Sequence, residues 1–325
     1  MLALSLCLAV ALPFALTSCT DGTSDDAGEQ ETVYYTVKFN TVGGETIEPM
    51  RIAKGEKINK PISPTRENYI FVEWRQNSTP WDFSIHMVTS DITLTAHWVS
   101  ADSVFGYEII EGTENAHITS IKALPTIDTL NIPQVINGFT VTGIGNGAFA
   151  SLESEDISVI NIPETVTYIG DYAFEEITAK IDLGGTVTHL GEGAFMGCSS
   201  LKEISLSEGL EKIPFAAFSD CSSLSSIVIP EGVTLIAENA FKDCSSLLTA
   251  VLPQTVSAVE NSAFHGCDAL KAIFWSGTEE TFNAIETDDK NECLTEAKLY
   301  IHSETEPLSD GDFWHFDEDG KPKTW

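Results

Sequence analysis

The sequence predicts a mainly β protein with short helical or 3-10 turns, built as a small β module followed by a repeat solenoid. Three observations predict it. The phenylalanine of an Ala-Phe pair recurs at Phe149, Phe174, Phe195, Phe218, Phe241 and Phe264, with spacings of 25, 21, 23, 23 and 23 residues. A fixed period in this range marks an array in which each repeat stacks on its neighbours. In step with it runs an aliphatic row, with IPETVTYIG at 162–170, LSEGLEKI at 206–213 and IPEGVTLI at 229–236. Upstream, the segments VYYTVKF, YIFVEW and DITLTAHW alternate apolar and polar residues with the period of a strand.

From the N-terminus, residues 1–18 read as a signal peptide. The apolar run from Leu2 to Ala15 is shorter than the roughly 20 residues that span a bilayer, and no basic segment precedes it. It ends in Leu16-Thr17-Ser18-Cys19, which resembles a bacterial lipoprotein box, and that resemblance implies lipid attachment at Cys19. Residues 19–32, with TDGTSDDAGEQET after the cysteine, hold too little apolar surface to fold and read as a flexible acidic tether. Acid directly behind such a cysteine also resembles the surface-export signal of Bacteroidetes lipoproteins, which implies an outward-facing anchor in the outer membrane.

Residues 33–99 form the β module. Tyr35, Val37 and Phe39 share one face of a strand that breaks at Gly43-Gly44, and the two prolines of PISPTREN exclude a regular element there. VKFNTVGG, KPISPTRENYIF, Trp74, WDF and DITLTAHW together resemble the Listeria-Bacteroides repeat, a β-grasp-like module of bacterial surface proteins. The resemblance implies a spacer or adhesion role. Asn68 and Glu73 stand where that family has glycine, and Asn tolerates positive φ. Trp74, Trp81 and Trp98 are expected in the core rather than as sugar platforms.

Residues 103–302 carry the array. Three residues after each phenylalanine stand Leu152, Ile177, Cys198, Cys221, Cys244 and Cys267. Leucine and isoleucine bind no metal and form no bridge, so the column asks for a buried apolar side chain, which cysteine supplies as a small hydrophobe. Bridges between adjacent turns are the competing reading, because stacked turns lie about 4.8 Å apart. A metal site would need close pairs such as CxxC, which are lacking. Cys293 falls outside the column. The pattern IPxxVTxIGxxAFxxCSSL is similar to the BspA-like leucine-rich repeat family of bacterial surface proteins. This implies a curved right-handed solenoid with a sheet on its concave face, an entry cap at 105–121 and a closing segment at 303–325.

Alternation along each strand points Asn131, Asn161, Asp182, Ser205, Val228, Val251 and Phe274 to that concave face. The row runs from polar to apolar, so Val228, Val251 and Phe274 form a candidate contact patch for a protein partner. The competing reading is that Phe313-Trp314-His315-Phe316 folds back and covers it.

The chemistry is that of binding rather than catalysis. The chain has 17 basic and 49 acidic residues, a net −32, which disfavours nucleic acid and anionic lipid. The acid is concentrated in 99–325, with 10 basic against 37 acidic residues, a net −27, which reads as a solvated surface. The seven histidines lack HExxH spacing, GxSxG is missing, and DEDGK at 317–321 reads as a turn rather than a calcium loop. No enzyme, cofactor or metal is expected. The expectation is a monomeric surface lipoprotein that touches the membrane only through its anchor. It would bind a protein of the host matrix, host cells or other bacteria, and the alternative is a glycan-capturing accessory protein in nutrient uptake.

Overall fold

The computed structural model describes residues 32–150, 152, 157–183, 186–305, 307, 311–318 and 321–325. The signal peptide, Cys19 and the tether up to residue 31 lie outside the described residues.

The first unit is a five-stranded sheet. Tyr34–Asn40 pairs antiparallel with Met50–Ala53 and parallel with Ile92–Ser100, which pairs antiparallel with Tyr69–Gln76, edged by Thr79–Pro80. A first hairpin with the last strand parallel beside it is the β-grasp arrangement, here with coil in place of a helix over 54–68. Val37, Phe71, Trp74 and Leu94 fill its core. Trp81 and Trp98 pack against that core half-buried, and the indole of Trp98 donates to the Thr41 carbonyl. The ladder with Ile92–Ser100 shifts register between Phe71 and Glu73, and Glu73 accepts a 2.7 Å hydrogen bond from Arg75 Nε.

The rest is a solenoid of about seven turns, with three short helices among the described residues. Each full turn contributes to three columns. The first column holds short parallel strands at Tyr168–Ile169, His189–Leu190, Lys212–Ile213, Leu235–Ile236 and Ala258–Val259. The second holds Thr129–Asn131, Val159–Asn161 and Lys180–Asp182, then Ser226–Val228, Thr249–Leu252, Ala272–Trp275 and Lys298–His302. The third is the phenylalanine column, joined turn to turn by backbone bonds such as Phe195 N–H to Ala217 O at 2.9 Å. Its rings stack with centroids 5.0 to 5.5 Å apart from Phe149 to Phe264.

The compact corners need left-handed backbone two residues before each phenylalanine and, from Phe174 onward, two residues after it as well. Glycine meets this at Gly193 and Gly197, but Tyr172 (φ +54°) and Ala216 (φ +50°) hold it at a cost of about 1 kcal/mol each. Antiparallel strands close both ends. Phe105–Ile109 pairs with Asn115–Ile121 at the entry, and Pro322–Thr324 pairs with Phe313–Phe316 at the exit. At the exit turn Asp317 N–H donates to Lys321 O and Lys321 N–H to the Asp317 carboxylate, so the described part of DEDGK is a hairpin turn.

One irregularity follows from the spacing. The first-column strand precedes each phenylalanine by a constant six residues, whereas the second-column strand follows it by eight, except after Phe174, where it follows by six, and after Phe149, where it follows by ten. The turn between Phe174 and Phe195 is thus the shortest. Both strand columns part there, between His189–Leu190 and Lys212–Ile213 and between Lys180–Asp182 and Ser226–Val228. Among the described residues, the phenylalanine column alone, with Phe174 N–H to Ala194 O at 2.9 Å, carries backbone pairing across the break without interruption.

Asn68 joins the two units. Its N–H donates to Val135 O, its carbonyl accepts from Ala101 N–H, and its side-chain oxygen accepts from Gly138 N–H at 3.4 Å. At φ +66° it takes the left-handed conformation that the glycine of the repeat family would take, and its amide adds a bond that glycine cannot make. Ile70, one residue further on, is buried in the core of the solenoid.

Candidate functional site

The second column builds the candidate face. In each strand the central residue points inward: Leu130, Ile160, Ile181, Ile227, Ala250 and Ile273 are all buried. Its neighbours therefore face the other way, and registers pair Asn131 with Asn161, Asn161 with Asp182, and Val228 with Val251 and then Phe274. The registers join the sequence-derived row as two runs, Asn131–Asn161–Asp182 and Val228–Val251–Phe274, with Ser205 between them outside any strand, and it is not one open surface.

Asp182 and Ser205 are exposed and Asn131 and Asn161 half-buried, while Val228 is 39% exposed. Val251 and Phe274 are only 2% and 6% exposed. They form a separate apolar cluster with Trp314, which is fully buried. Trp314 meets the Phe274 ring edge-on at 5.5 Å, and its indole N–H donates to Trp275 O at 3.0 Å. Of the two readings of the apolar end, the covering one describes Val251 and Phe274. They alternate correctly, but the chain terminus adds Phe313–Phe316 as one more parallel strand beside Lys298–His302 and lays an indole over them. Only Val228 of the three stays open.

A groove of about 480 Å³ runs over this face at the break in the ladder. Lys180, Asp182, Glu203, Ser205 and Val228 line it, and Lys321 and Pro322 of the exit hairpin form a wall. Among the described residues no backbone bond joins 203–205 to Lys180–Asp182, and Ser225 N–H to Lys202 O is the backbone link from 202–205 to the following strand. The contribution of Lys321 and Pro322 was not legible in the sequence, because it depends on where the terminus returns.

The thiol column is closed to this face. Cys198, Cys221, Cys244 and Cys267 are free and fully buried, Ile177 is buried above them, and Leu152 is half-buried against the same core. Each thiol donates to the carbonyl of the phenylalanine one turn earlier: Cys198 to Phe174 O at 3.0 Å, and Cys221, Cys244 and Cys267 to Phe195, Phe218 and Phe241 O at 3.1 Å. Cysteine thus fills an apolar seam and also gives a buried carbonyl a second donor, which leucine or isoleucine cannot do. Burial pushes the Cys198 thiol up to about 12. Burial, then the neighbouring Cys198, pushes Cys221 up. For Cys267 the hydrogen bond with Cys244 acts first and burial second. Cys293, outside the column by spacing, is half-buried beside its end; burial and then Cys267 raise its thiol.

His117 and His189 sandwich the Tyr168 ring at 5.0 and 4.6 Å, and burial lowers the His117 pKa. Among the described residues no group of three His, Cys, Asp or Glu side chains is placed to hold a metal ion, and no helix is long and apolar enough to cross a membrane.

Two family models match the chain. The BspA type Leucine rich repeat region matches residues 126–279 in 6 copies, and the Listeria-Bacteroides repeat domain matches residues 35–97. Two proteins of Evansella cellulosilytica, both named as membrane proteins, are similar to it. One is 28% identical over 92 residues, 27% of this chain, and the other 33% identical over 86 residues, 24% of this chain. The matched stretches span only 13% and 10% of those relatives. Among solved structures, a leucine rich cell surface protein of Faecalibacterium prausnitzii is 31% identical at a TM-score of 0.40, covering 56% of this chain and 41% of that one. A leucine-rich repeat protein of Eubacterium ventriosum is 20% identical at a TM-score of 0.43, covering 68% and 55%. The chain carries a Listeria-Bacteroides repeat domain followed by a leucine-rich repeat region of the BspA type.

Proposed function

We propose that this chain is a bacterial surface lipoprotein, acylated at Cys19 and held off the envelope by its acidic tether, that binds a protein partner through the open part of the second-column face. The observation that carries the reading is the groove over Asp182, Ser205 and Val228. It is a concavity on the second-column face, with one exposed aliphatic side chain among residues of both charges. Such a mixture of an apolar contact with a polar rim is what protein interfaces use. The repeat type supports a surface role, and the membrane-protein names of the two relatives fit an envelope location.

The test is a binding screen of the chain against arrays of host matrix and bacterial surface proteins, repeated with Val228→Asp. Val228 is exposed, so the substitution should leave the melting temperature within about 2 °C. It should weaken capture of the partner about tenfold or more, as loss of a central contact of 1–2 kcal/mol implies. Val251→Asp is unsuitable for this purpose, since it would place a carboxylate beneath Trp314. Undiminished binding by Val228→Asp would move the site off this face.

A further inference from the structure

A second concavity, of about 970 Å³, lies between the 64–69 segment of the β module and the first two strands of the second column. Its walls include Arg66 and Tyr69 from the module and Asn131, Gln134, Asn161 and Glu164 from the solenoid. The two walls are tied at Asn68, whose three bonds reach Val135, Gly138 and Ala101, so the cleft is set by the fold. Junctions between units are where ligand sites concentrate, and the volume is at the upper end of the usual range of roughly 300–1,000 Å³.

The polar groups in it are arranged but not used up. Asn161 Nδ2 donates to Asn131 Oδ1 at 2.6 Å, which leaves the Asn131 amide hydrogens and the Asn161 carbonyl for a ligand. The Arg66 guanidinium forms no ion pair among the described residues and instead lies 3.8 Å over the Tyr69 ring, which fixes its plane. Three carboxylates, Glu45, Glu67 and Glu164, also line the cleft. An anion would meet three carboxylates and a cation would meet Arg66. Of the apolar residues there, Phe71, Ile132 and Ile162 are buried beneath the surface and the half-buried Tyr69 ring carries Arg66 on one face, so a protein partner would find no aliphatic anchor. Planar amides, a guanidinium and carboxylates side by side suit hydroxyl groups, each of which donates and accepts.

We propose that this cleft binds an uncharged glycan. The experiment is calorimetric titration of the full chain with neutral four- to six-unit gluco-, manno-, galacto- and xylo-oligosaccharides at about 50 and about 500 mM NaCl. One of these should bind at a single site with little change between the two salt concentrations, because no net charge is neutralised. Asn131→Ala with Asn161→Ala should weaken binding about tenfold or more, and Val228→Asp should leave it unchanged. Glu164→Ala, a change at an exposed side chain expected to alter stability by about 0.5 kcal/mol or less, should weaken it several-fold and guards against a folding defect in the double variant. Absence of binding to all four series at millimolar concentration overturns the proposal, as does binding that survives the Asn131/Asn161 and Glu164 changes. A site that takes up a basic peptide in a salt-dependent way and no sugar also overturns it.

Discussion

Phe218→Ala is expected to destabilise the solenoid by about 3–5 kcal/mol. The Phe218 ring is fully buried and lies between Phe195 at 5.5 Å and Phe241 at 5.4 Å, so truncation removes the buried surface and two stacking partners at once. Stacked pairs contribute about 0.5–1.5 kcal/mol each beyond burial. Phe264 is equally buried but has one such partner, Phe241, so Phe264→Ala should cost less by about the value of one stack. Position in the array adds a second effect. A solenoid is held together by nearest-neighbour contacts, and a void in the middle uncouples the turns on either side. The void would sit one turn beyond Phe195, where the strand columns part and pairing already depends on the phenylalanine column. Urea unfolding followed by circular dichroism should therefore show one transition for the parent chain and a broadened or split one for Phe218→Ala. A loss below about 1 kcal/mol with the transition unchanged would mean that the ring column is not what joins the turns.

Trp314→Ala is the second large effect, also about 3–5 kcal/mol, because a buried indole is lost along with its hydrogen bond to Trp275 O. Its consequence is more informative than its size. Val251, Phe274 and Tyr300 would be uncovered together, forming with Val228 a continuous apolar strip on the face that the partner is proposed to use. The variant should bind 1-anilinonaphthalene-8-sulfonate, which the parent chain should not. Unchanged stability and no dye binding would show that the exit hairpin does not seal that end.

What the sequence disclosed and what it withheld divide along physical lines. The phenylalanine and thiol columns were legible because a solenoid converts sequence period directly into spatial stacking, so equivalent residues in successive repeats must touch. The two register-paired runs of the second column, Asn131 to Asp182 and Val228 to Phe274, were legible for the same reason. The covering of the second run was not, because whether Val251 and Phe274 meet water depends on the path of residues 303–325, a contact without any period. The 21-residue spacing was visible, but its result, the parting of both strand columns, is a matter of register between neighbours. The thiol column was read as small and apolar from the Leu152 and Ile177 that share it. Its donation to the phenylalanine carbonyls is a geometric property that composition does not announce. Asn68 was marked by its departure from glycine and by its tolerance of positive φ. Nothing in its neighbourhood said that the same amide would reach Gly138, 70 residues away.

The central claim is that successive turns lie directly over one another and enclose a dry seam of thiols. Alkylation of the native chain with iodoacetamide at pH 8, quenched over a time course and mapped by peptide mass spectrometry, addresses it most directly. Cys198, Cys221, Cys244 and Cys267 should remain unmodified free thiols until urea unfolds the chain, since each is fully buried and bonded to a carbonyl. Rapid native labelling of these four, or their recovery as disulfides, would contradict the stacked register on which the face, the groove and the cleft all depend.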